Sequence, residues 1–134
     1  MFTWLLYKIT KFEKKQIRIK GRKFSVLIAD TLARGAVGLM YRPKIKENEG
    51  MLFIFPFNHR WRIWMLNMRF PLDVIWLDAD GRVVHIENNL QPCSSFLSCR
   101  PYAPKSKAKY VLELNSGCAK KLGIKEKERI LAGL

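Results

Sequence analysis

The sequence predicts a mainly β protein of the α+β class, with a small antiparallel sheet, barrel-like or two-layered, and two short helices. Most apolar stretches are short and alternate with polar residues at the two-residue period of strands. Asp80-Gly81 lies between two such stretches and meets the positive φ that a type I′ hairpin turn requires. Only two short stretches have helical spacing, which favours a sheet with helices at its ends.

Length and composition predict one globular domain over residues 1–134. The chain has 134 residues, 49% of them hydrophobic, which is enough for a single core. No apolar run reaches the roughly 18 residues of a membrane-spanning helix. The opening MFTWLLYKIT lacks a basic start and a cleavage site, so we interpret it as a first strand rather than a secretory signal. We therefore expect a cytoplasmic monomer.

The first third of the chain predicts a hairpin followed by a helix. Residues 15–20 and 23–29 alternate in polarity around a turn at Gly21-Arg22. Asp30-Thr31 then provides an N-cap for a short helix that ends before Pro43.

The middle of the chain predicts the central sheet. It holds three of the four tryptophans, and Pro56 is expected to end the first strand before a loop at 57–60. A bend at Pro71 separates the next two strands. The predicted strands are 51–55, 62–65, 73–77 and 83–86.

The last third predicts a long loop, a strand and a second helix. Residues 88–108 contain three prolines and no periodicity, whereas 109–114 has strand composition. Asn115 or Ser116 is expected to cap a helix that Gly123 closes. A final short strand is predicted at 128–131.

Basic residues dominate the charge and are concentrated near the start of the chain. The formal net charge is +14, and residues 8–23 hold eight basic side chains against one acid. Such a field favours polyanion binding, although a merely solvated basic surface explains it equally. The candidate nucleic-acid residues are Lys14, Lys15, Arg18, Lys20, Arg22 and Lys23.

The sequence predicts no catalytic residues, no cofactor and no metal site. Only His59 and His85 could act as a histidine base, and no G-x-S-x-G motif is present. His85 is expected on the surface of a strand, and His59 could contact an anion. Asp78-Ala79-Asp80-Gly81 lacks the later glutamate of a calcium loop, so we interpret it as a hairpin turn.

The cysteines and the acids leave alternatives open. Cys93 and Cys99 could form a loop-closing disulfide, remain inert thiols or act as a reactive pair, and Cys118 is expected to be a small buried residue. Among the acids within strand patterns, we expect one to form a salt bridge with Arg34 or Arg69. Those acids are Asp73, Glu87 and Glu113.

Asn67 is the candidate centre of a ligand site. It stands between bulky apolar clusters, where an unpaired amide costs about 1–3 kcal/mol. It either caps the bend before Pro71 or offers its amide to a ligand at the rim of the sheet. The predicted ligand-binding residues are Arg34, Trp64, Asn67, Asp73, Cys93, Cys99 and Tyr102.

Taken in order, these motifs resemble the domain-of-unknown-function family 192, a small uncharacterised prokaryotic domain, over about residues 24–131. The chain departs from the family pattern at Met68, Cys118 and Lys127-Glu128. The resemblance implies a compact β-rich fold and no established reaction. The motifs are Asp30-Thr31, Arg34, Gly38-Leu39-Met40, Gly50-Met51-Leu52-Phe53, Phe55, Trp64-Met65-Leu66-Asn67, Pro71-Leu72-Asp73, Asp80-Gly81, Pro92-Cys93, Cys99, Tyr102, Tyr110-Val111-Leu112-Glu113-Leu114 and Gly117.

Three functional hypotheses follow. The first is a non-catalytic module that binds an unknown small molecule or peptide at the Asn67 rim. The second is a nucleic-acid-associated protein that uses the basic hairpin of residues 8–23. The third is an enzyme of unknown reaction that uses Asp73 or a Cys93 thiolate, but the sequence favours a protein without catalytic activity.

Overall fold

The computed structural model describes residues 11–132, so the first strand expected within residues 1–10 lies outside the described part. The fold class is confirmed: the described residues are mainly β, with two short helices. The strands form a six-stranded sheet in the order β1-β2-β3-β6-β4-β5. The elements are β1 (Glu13–Ile19), β2 (Arg22–Ala29), α1 (Leu32–Val37), β3 (Glu49–His59), β4 (Leu72–Leu77), β5 (Val83–Leu90), β6 (Ala108–Asn115) and α2 (Cys118–Leu122).

The sheet is mixed and open, rather than wholly antiparallel and barrel-like. β2 pairs with β3 in parallel, and the other neighbouring pairs are antiparallel. The parallel pair follows from α1 and its loop, which carry the chain back to the start of the sheet between β2 and β3. β1 and β5 remain at the two edges, so the sheet does not close.

The β1–β2 hairpin and the cap of α1 form as predicted, but the hairpin turn is Lys20-Gly21 rather than Gly21-Arg22. Lys20 and Gly21 both have positive φ in the tight turn, as a type I′ turn requires. Thr31 is the N-cap of α1, and its side-chain oxygen accepts a hydrogen bond from the backbone N–H of Arg34 at 3.1 Å. α1 ends at Gly38, whose φ is +51°.

Pro56 does not end β3, so the predicted stop and the loop at 57–60 are wrong. The parallel ladder with β2 finishes at the Ala29–Phe53 pair. The ladder with β6 is irregular between Ile54 and His59. Proline has no backbone N–H to donate to a ladder. Because the pairing is irregular at this point, Pro56 destabilises the strand little.

Two further predicted strands are reduced to isolated pairs. Residues 62–65 pair with the long loop rather than with the sheet, through the Ile63–Tyr102 bridge. In the predicted last strand, Arg129 bridges to Arg82. Both places form bridges, but no neighbouring strand within residues 11–132 continues either ladder.

The Asp80-Gly81 turn joins β4 to β5, but it is not type I′. The N–H of Gly81 donates to the Asp78 carbonyl oxygen at 3.0 Å, and only Gly81 of the pair has positive φ. The Asp78 side chain accepts from the N–H groups of Asp80 and Arg82, which holds the turn in another form.

α2 begins after Gly117 and ends at Gly123, so only its predicted end is confirmed. Neither proposed cap serves the helix. The Asn115 amide donates to the Ile45 carbonyl, and the Ser116 hydroxyl bonds to Asn89.

The sheet separates two apolar cores. On the α2 face, Ile75, Leu112 and Leu114 are fully buried. On the α1 face, Met51 and Trp76 are fully buried. The central strands β4 and β6 are therefore covered on both sides.

None of the helices within residues 11–132 is long and apolar enough to cross a membrane.

Candidate functional site

The structure separates the predicted ligand residues between the two faces of the sheet. Asp73 is fully buried on the α2 face, where its carboxylate accepts from the backbone N–H groups of Asn89 and Ala119, both at 2.9 Å. Trp64 lies on the α1 side. Asp73 therefore ties α2 and β5 to the sheet and does not meet the other predicted ligand residues.

Asn67 fixes a turn through its backbone and its side chain. It has φ +59°, and its amide donates to the Tyr41 hydroxyl at 2.9 Å. Its backbone N–H donates to the Cys93 carbonyl, and its carbonyl accepts from the N–H of Tyr41. All these partners are protein groups, which favours the structural role of Asn67 that we considered above.

Cys93 and Cys99 form a disulfide with a Cα–Cα distance of 5.5 Å. Between them, Phe96 makes an edge contact with Trp64, with ring centroids 5.6 Å apart. The disulfide loop thus packs beside Trp64, and Cys93 holds no free thiolate in this state.

Arg34 and Tyr102 are occupied by local contacts. Arg34 forms an ion pair with Asp30 at 3.3 Å, rather than with one of the strand acids. The guanidinium carbon of Arg100 lies 5.0 Å from the centre of the Tyr102 ring. Neither residue lines the cavity that contains Trp64.

This cavity, of about 190 Å³, lies on the α1 face. Backbone and small side chains of α1 and the following turn form one wall, and side chains of β3, β6 and the segment before β4 form the rest. Trp64 is the member of the predicted ligand set that lines it. The lining residues are 35–40, Phe53, Arg62, Ile63, Trp64, Leu66, Met68 and Glu113.

Glu113 supplies a buried carboxyl to this cavity. In the ladders of β6 it stands opposite Met51 and Val74, both core residues of the α1 face. Only 4% of Glu113 is exposed, and its carboxyl makes no hydrogen bond or ion pair with any residue in the described range. Its oxygens are not completely enclosed, which agrees with a carboxyl that borders the cavity. Burial raises its pKa from 4.5 to about 8, because desolvation disfavours the charged form.

Glu113 was expected as an acid within a strand but was not among the predicted site residues. The available signal was its position in YVLELN, where a charged residue interrupts a strand that is otherwise apolar. A central strand is covered on both faces, so an acid within it must project into a core or a cavity. What the sequence did not reveal was that β6 occupies the centre.

Arg62 is the other ionisable side chain in the cavity wall. It is exposed, and within residues 11–132 it has no hydrogen-bonding or ion-pairing partner. A neutral carboxyl can donate and accept a hydrogen bond, and a guanidinium donates in a fork that matches carboxylates. The cavity therefore offers two polar contacts between apolar and aromatic walls, which is the usual composition of a small-ligand site.

A larger apolar groove of about 750 Å³ lies on the other side of α1. Exposed Leu32 and Phe57 contribute to it, as does Trp61, which stacks on Phe55 at 4.3 Å. Its wall has few polar groups to orient a ligand, so the Glu113 cavity is the better candidate site.

The two histidines lie away from the Glu113 cavity. His85 is half-buried rather than on the surface, which corrects the prediction: its ring packs edge-on against Trp76 at 5.3 Å, and its Nε2 lies 2.6 Å from Glu87. In the β4–β5 ladder His85 stands opposite Trp76, so its ring lies on the covered α1 face of the sheet. His59 lies at the end of β3 and contacts Trp61 edge-on at 5.0 Å.

The basic residues of the hairpin are exposed on β1 and β2. Lys20 pairs with Glu128 at 2.8 Å, and Arg18 donates to the Gly21 carbonyl. Within the described range, no cluster of three or more His, Cys, Asp or Glu side chains could hold a metal ion. The exposed basic side chains are Lys14, Lys15, Arg18, Lys20, Arg22 and Lys23.

Comparison with known families gives a match over almost the whole described range. The sequence model of the DUF192 family, described as "Uncharacterized ACR", matches residues 15–132. A UPF0127 protein of Thermococcus gammatolerans is 33% identical over 115 residues, which is 83% of this chain and 69% of that protein. A UPF0127 protein of Pyrococcus abyssi is 32% identical over 120 residues, covering 88% of this chain and 92% of that protein.

Two solved structures are similar to the whole fold. A crystal structure from Sinorhizobium meliloti, titled a putative transcription regulator, has a TM-score of 0.82 and 31% identity, covering 90% of this chain and 95% of that one. A protein of unknown function from Novosphingobium aromaticivorans has a TM-score of 0.81 and 31% identity, covering 90% and 86%.

Proposed function

This chain belongs to the domain-of-unknown-function family 192, and from that premise we propose that it is a binding module for a small molecule. The ligand occupies the cavity beneath α1 and contacts Glu113. The observation that carries the proposal is that Glu113 is buried, lines this cavity and has no partner for its carboxyl within residues 11–132.

An unpaired buried carboxyl is costly to keep. Burial removes much of the hydration of the Glu113 carboxyl, and no hydrogen bond or ion pair within residues 11–132 replaces it. A bound ligand would supply the missing partner for Glu113. Such costly groups are concentrated at functional sites, and this supports a binding role.

The cavity has the size of a small-molecule site. An engineered apolar cavity of about 150 Å³ holds a benzene molecule, and this one measures about 190 Å³. Trp64, which is 37% exposed, and Phe53 provide aromatic surface in its wall. The proposal therefore moves the predicted site from the Asn67 rim to Glu113 and keeps Trp64 as a ligand contact.

The proposal is tested by screening small aromatic and aliphatic fragments against the isotope-labelled protein. We expect binding fragments to shift the backbone amide signals of Leu39, Trp64 and Glu113 by NMR. Glu113→Leu, which replaces the carboxyl by an apolar group, should abolish these shifts, whereas Glu47→Gln, at an exposed loop position, should leave them unchanged.

Two results would count against a site at Glu113. One is that no fragment shifts these signals at millimolar concentration. The other is that the same fragments bind equally well to Glu113→Leu.

A second candidate function is nucleic-acid binding by the β1–β2 hairpin. The observation in its favour is the exposure of the six basic side chains on these two strands. The Sinorhizobium meliloti relative is titled a putative transcription regulator, which agrees with this alternative. Against it, lysines on an edge strand also prevent unwanted strand pairing, and β1 is an edge.

The test of this alternative is the salt dependence of binding to a short DNA duplex. A variant carrying Lys14→Gln, Lys15→Gln and Arg18→Gln should bind more weakly. The slope of log K against log salt should fall by about one for each phosphate that the variant no longer neutralises. A charge-matched variant with Lys44, Lys107 and Lys125 changed to Gln is the control, and equal weakening in both variants would exclude a site on the hairpin.

A further inference from the structure

We infer that the natural ligand of the cavity is a small carboxylate, held between the Arg62 guanidinium and the carboxyl of Glu113. This inference rests on the proposed function and names the class of ligand. It is carried by the two ionisable groups of the cavity wall, neither of which has a partner within residues 11–132.

Arg62 provides the charge that an anion requires. Arg62 lines the cavity and is exposed at the surface, and no acid of the described range lies within ion-pair distance of it. Glu113 lines the same wall but forms no ion pair with Arg62. A guanidinium left free in this way can bind a carboxylate through two parallel hydrogen bonds.

Glu113 provides a hydrogen-bond donor at the floor. It is flanked by Met51 and Val74, and α1 contributes backbone and apolar side chains, so among the described residues that line the cavity Arg62 is the only other one with a charged side chain. A protonated carboxyl can donate its O–H to a bound carboxylate, and hydrogen bonds to an ionised acceptor are short and strong. A bound anion would in turn hold the proton on Glu113.

The charge of the whole chain selects between ligand classes. With Glu113 neutral, the cavity wall carries one positive charge, and the chain carries a formal net charge of +14. This field attracts anions and repels cations during the encounter. A carboxylate thus agrees with both the local and the long-range electrostatics, whereas an amine agrees with neither.

Three isosteric probes separate the ligand classes. Benzoate, benzamide and benzamidinium have nearly the same planar shape but are negative, neutral and positive. Binding is measured on the full chain by NMR shifts of Trp64 and Glu113 and by calorimetry at about pH 6.5, where Glu113 holds its proton. We expect benzoate to bind at least roughly tenfold more tightly than benzamide, and benzamidinium to bind most weakly.

The pH dependence and two variants identify the groups involved. Benzoate affinity should be constant up to about pH 8 and then fall by about tenfold per pH unit, because the complex needs the Glu113 proton. Glu113→Gln, whose amide donates at every pH, should bind benzoate without this fall. Arg62→Gln should weaken benzoate about tenfold at all pH values and benzamide little. The control Arg82→Gln, at an exposed position that does not line the cavity, should change neither.

The possible failures are distinguishable. If benzamidinium or benzamide binds most tightly in the cavity, the carboxylate inference is wrong and the small-molecule function stands. If benzoate binds best but Arg62→Gln and Glu113→Gln behave as the native chain, the assignment of these two residues is wrong. If none of the three probes shifts the cavity signals at millimolar concentration, both the inference and the proposed function are contradicted.

Discussion

Glu113 makes the folded chain bind a proton more tightly than the unfolded chain does. Burial raises its pKa from 4.5 to about 8, so between these values the unfolded chain has lost a proton that the folded chain keeps. The free energy of unfolding therefore falls as pH rises from 4.5 towards 8, and this contribution is constant above that range. This pH dependence of the free energy of unfolding comes from Glu113, whose carboxyl has no partner within the described residues.

Replacing Glu113 by Gln should stabilise the protein at neutral pH. The amide has nearly the same shape and cannot ionise, so the variant avoids a cost of up to about 3 kcal/mol at pH 7. Urea unfolding at several pH values measures this difference, which should vanish near pH 4. A native chain and a variant with parallel pH profiles would show that Glu113 does not titrate as proposed.

Asp73 should make a large contribution to the free energy of unfolding, as expected for a structural residue rather than a ligand contact. Asp73→Ala leaves the N–H groups of Asn89 and Ala119 without their acceptor in a buried site, and we expect a loss of about 3 kcal/mol. The control Asp30→Ala breaks an exposed ion pair with Arg34 and should cost below about 1 kcal/mol. Urea unfolding compares the two, and equal small losses would contradict the structural role of Asp73.

At the scale of elements, β3 packs closely enough against β6 that one glycine is required between them. A Cβ at Gly50 would lie 2.5 Å from the Glu113 carbonyl oxygen and 2.8 Å from Leu114 Cδ2. Backbone cannot withdraw from such a contact without disturbing the ladder. In α1, by contrast, a Cβ at Gly35 would meet only Phe53, at 3.9 Å.

Alanine at these two glycines should therefore have opposite effects. Gly50→Ala should lower the free energy of unfolding by about 1–3 kcal/mol through overpacking. Gly35→Ala, inside α1, should raise it by about 0.5–1 kcal/mol, because alanine loses less backbone entropy in a helix. Thermal and urea unfolding of both variants measure the signs, and a destabilised Gly35→Ala would mean that α1 needs the glycine for another reason.

At the scale of the whole molecule, the net charge of +14 opposes the compact state. Adding salt should therefore raise the melting temperature, because screening reduces the repulsion between basic side chains. The double variant Lys14→Glu, Lys15→Glu exchanges two positive charges for two negative ones, which lowers the formal charge from +14 by four to +10. The melting temperature of this variant should rise less with added salt. An equal rise in both proteins would mean that net charge does not cause the effect.

Local signals predicted most of the fold but little of its pairing. The hairpin, the Thr31 cap and the Gly123 end depend on residues close in sequence, and all are confirmed. The parallel β2–β3 pair and the position of β6 depend on contacts between distant segments, which no local period encodes. The candidate cavity was missed for that reason, since Glu113 is buried beside α1 only because β6 lies at the centre.

The disulfide between Cys93 and Cys99 makes the rigidity of the cavity rim depend on the redox conditions around the protein. It closes a short loop that carries Phe96 against the Trp64 ring, and Trp64 lines the cavity. Breaking the bond would free the loop while leaving the sheet and the floor of the cavity in place. A reducing agent added during purification would therefore change the rates at which ligands enter and leave the cavity, without unfolding the protein.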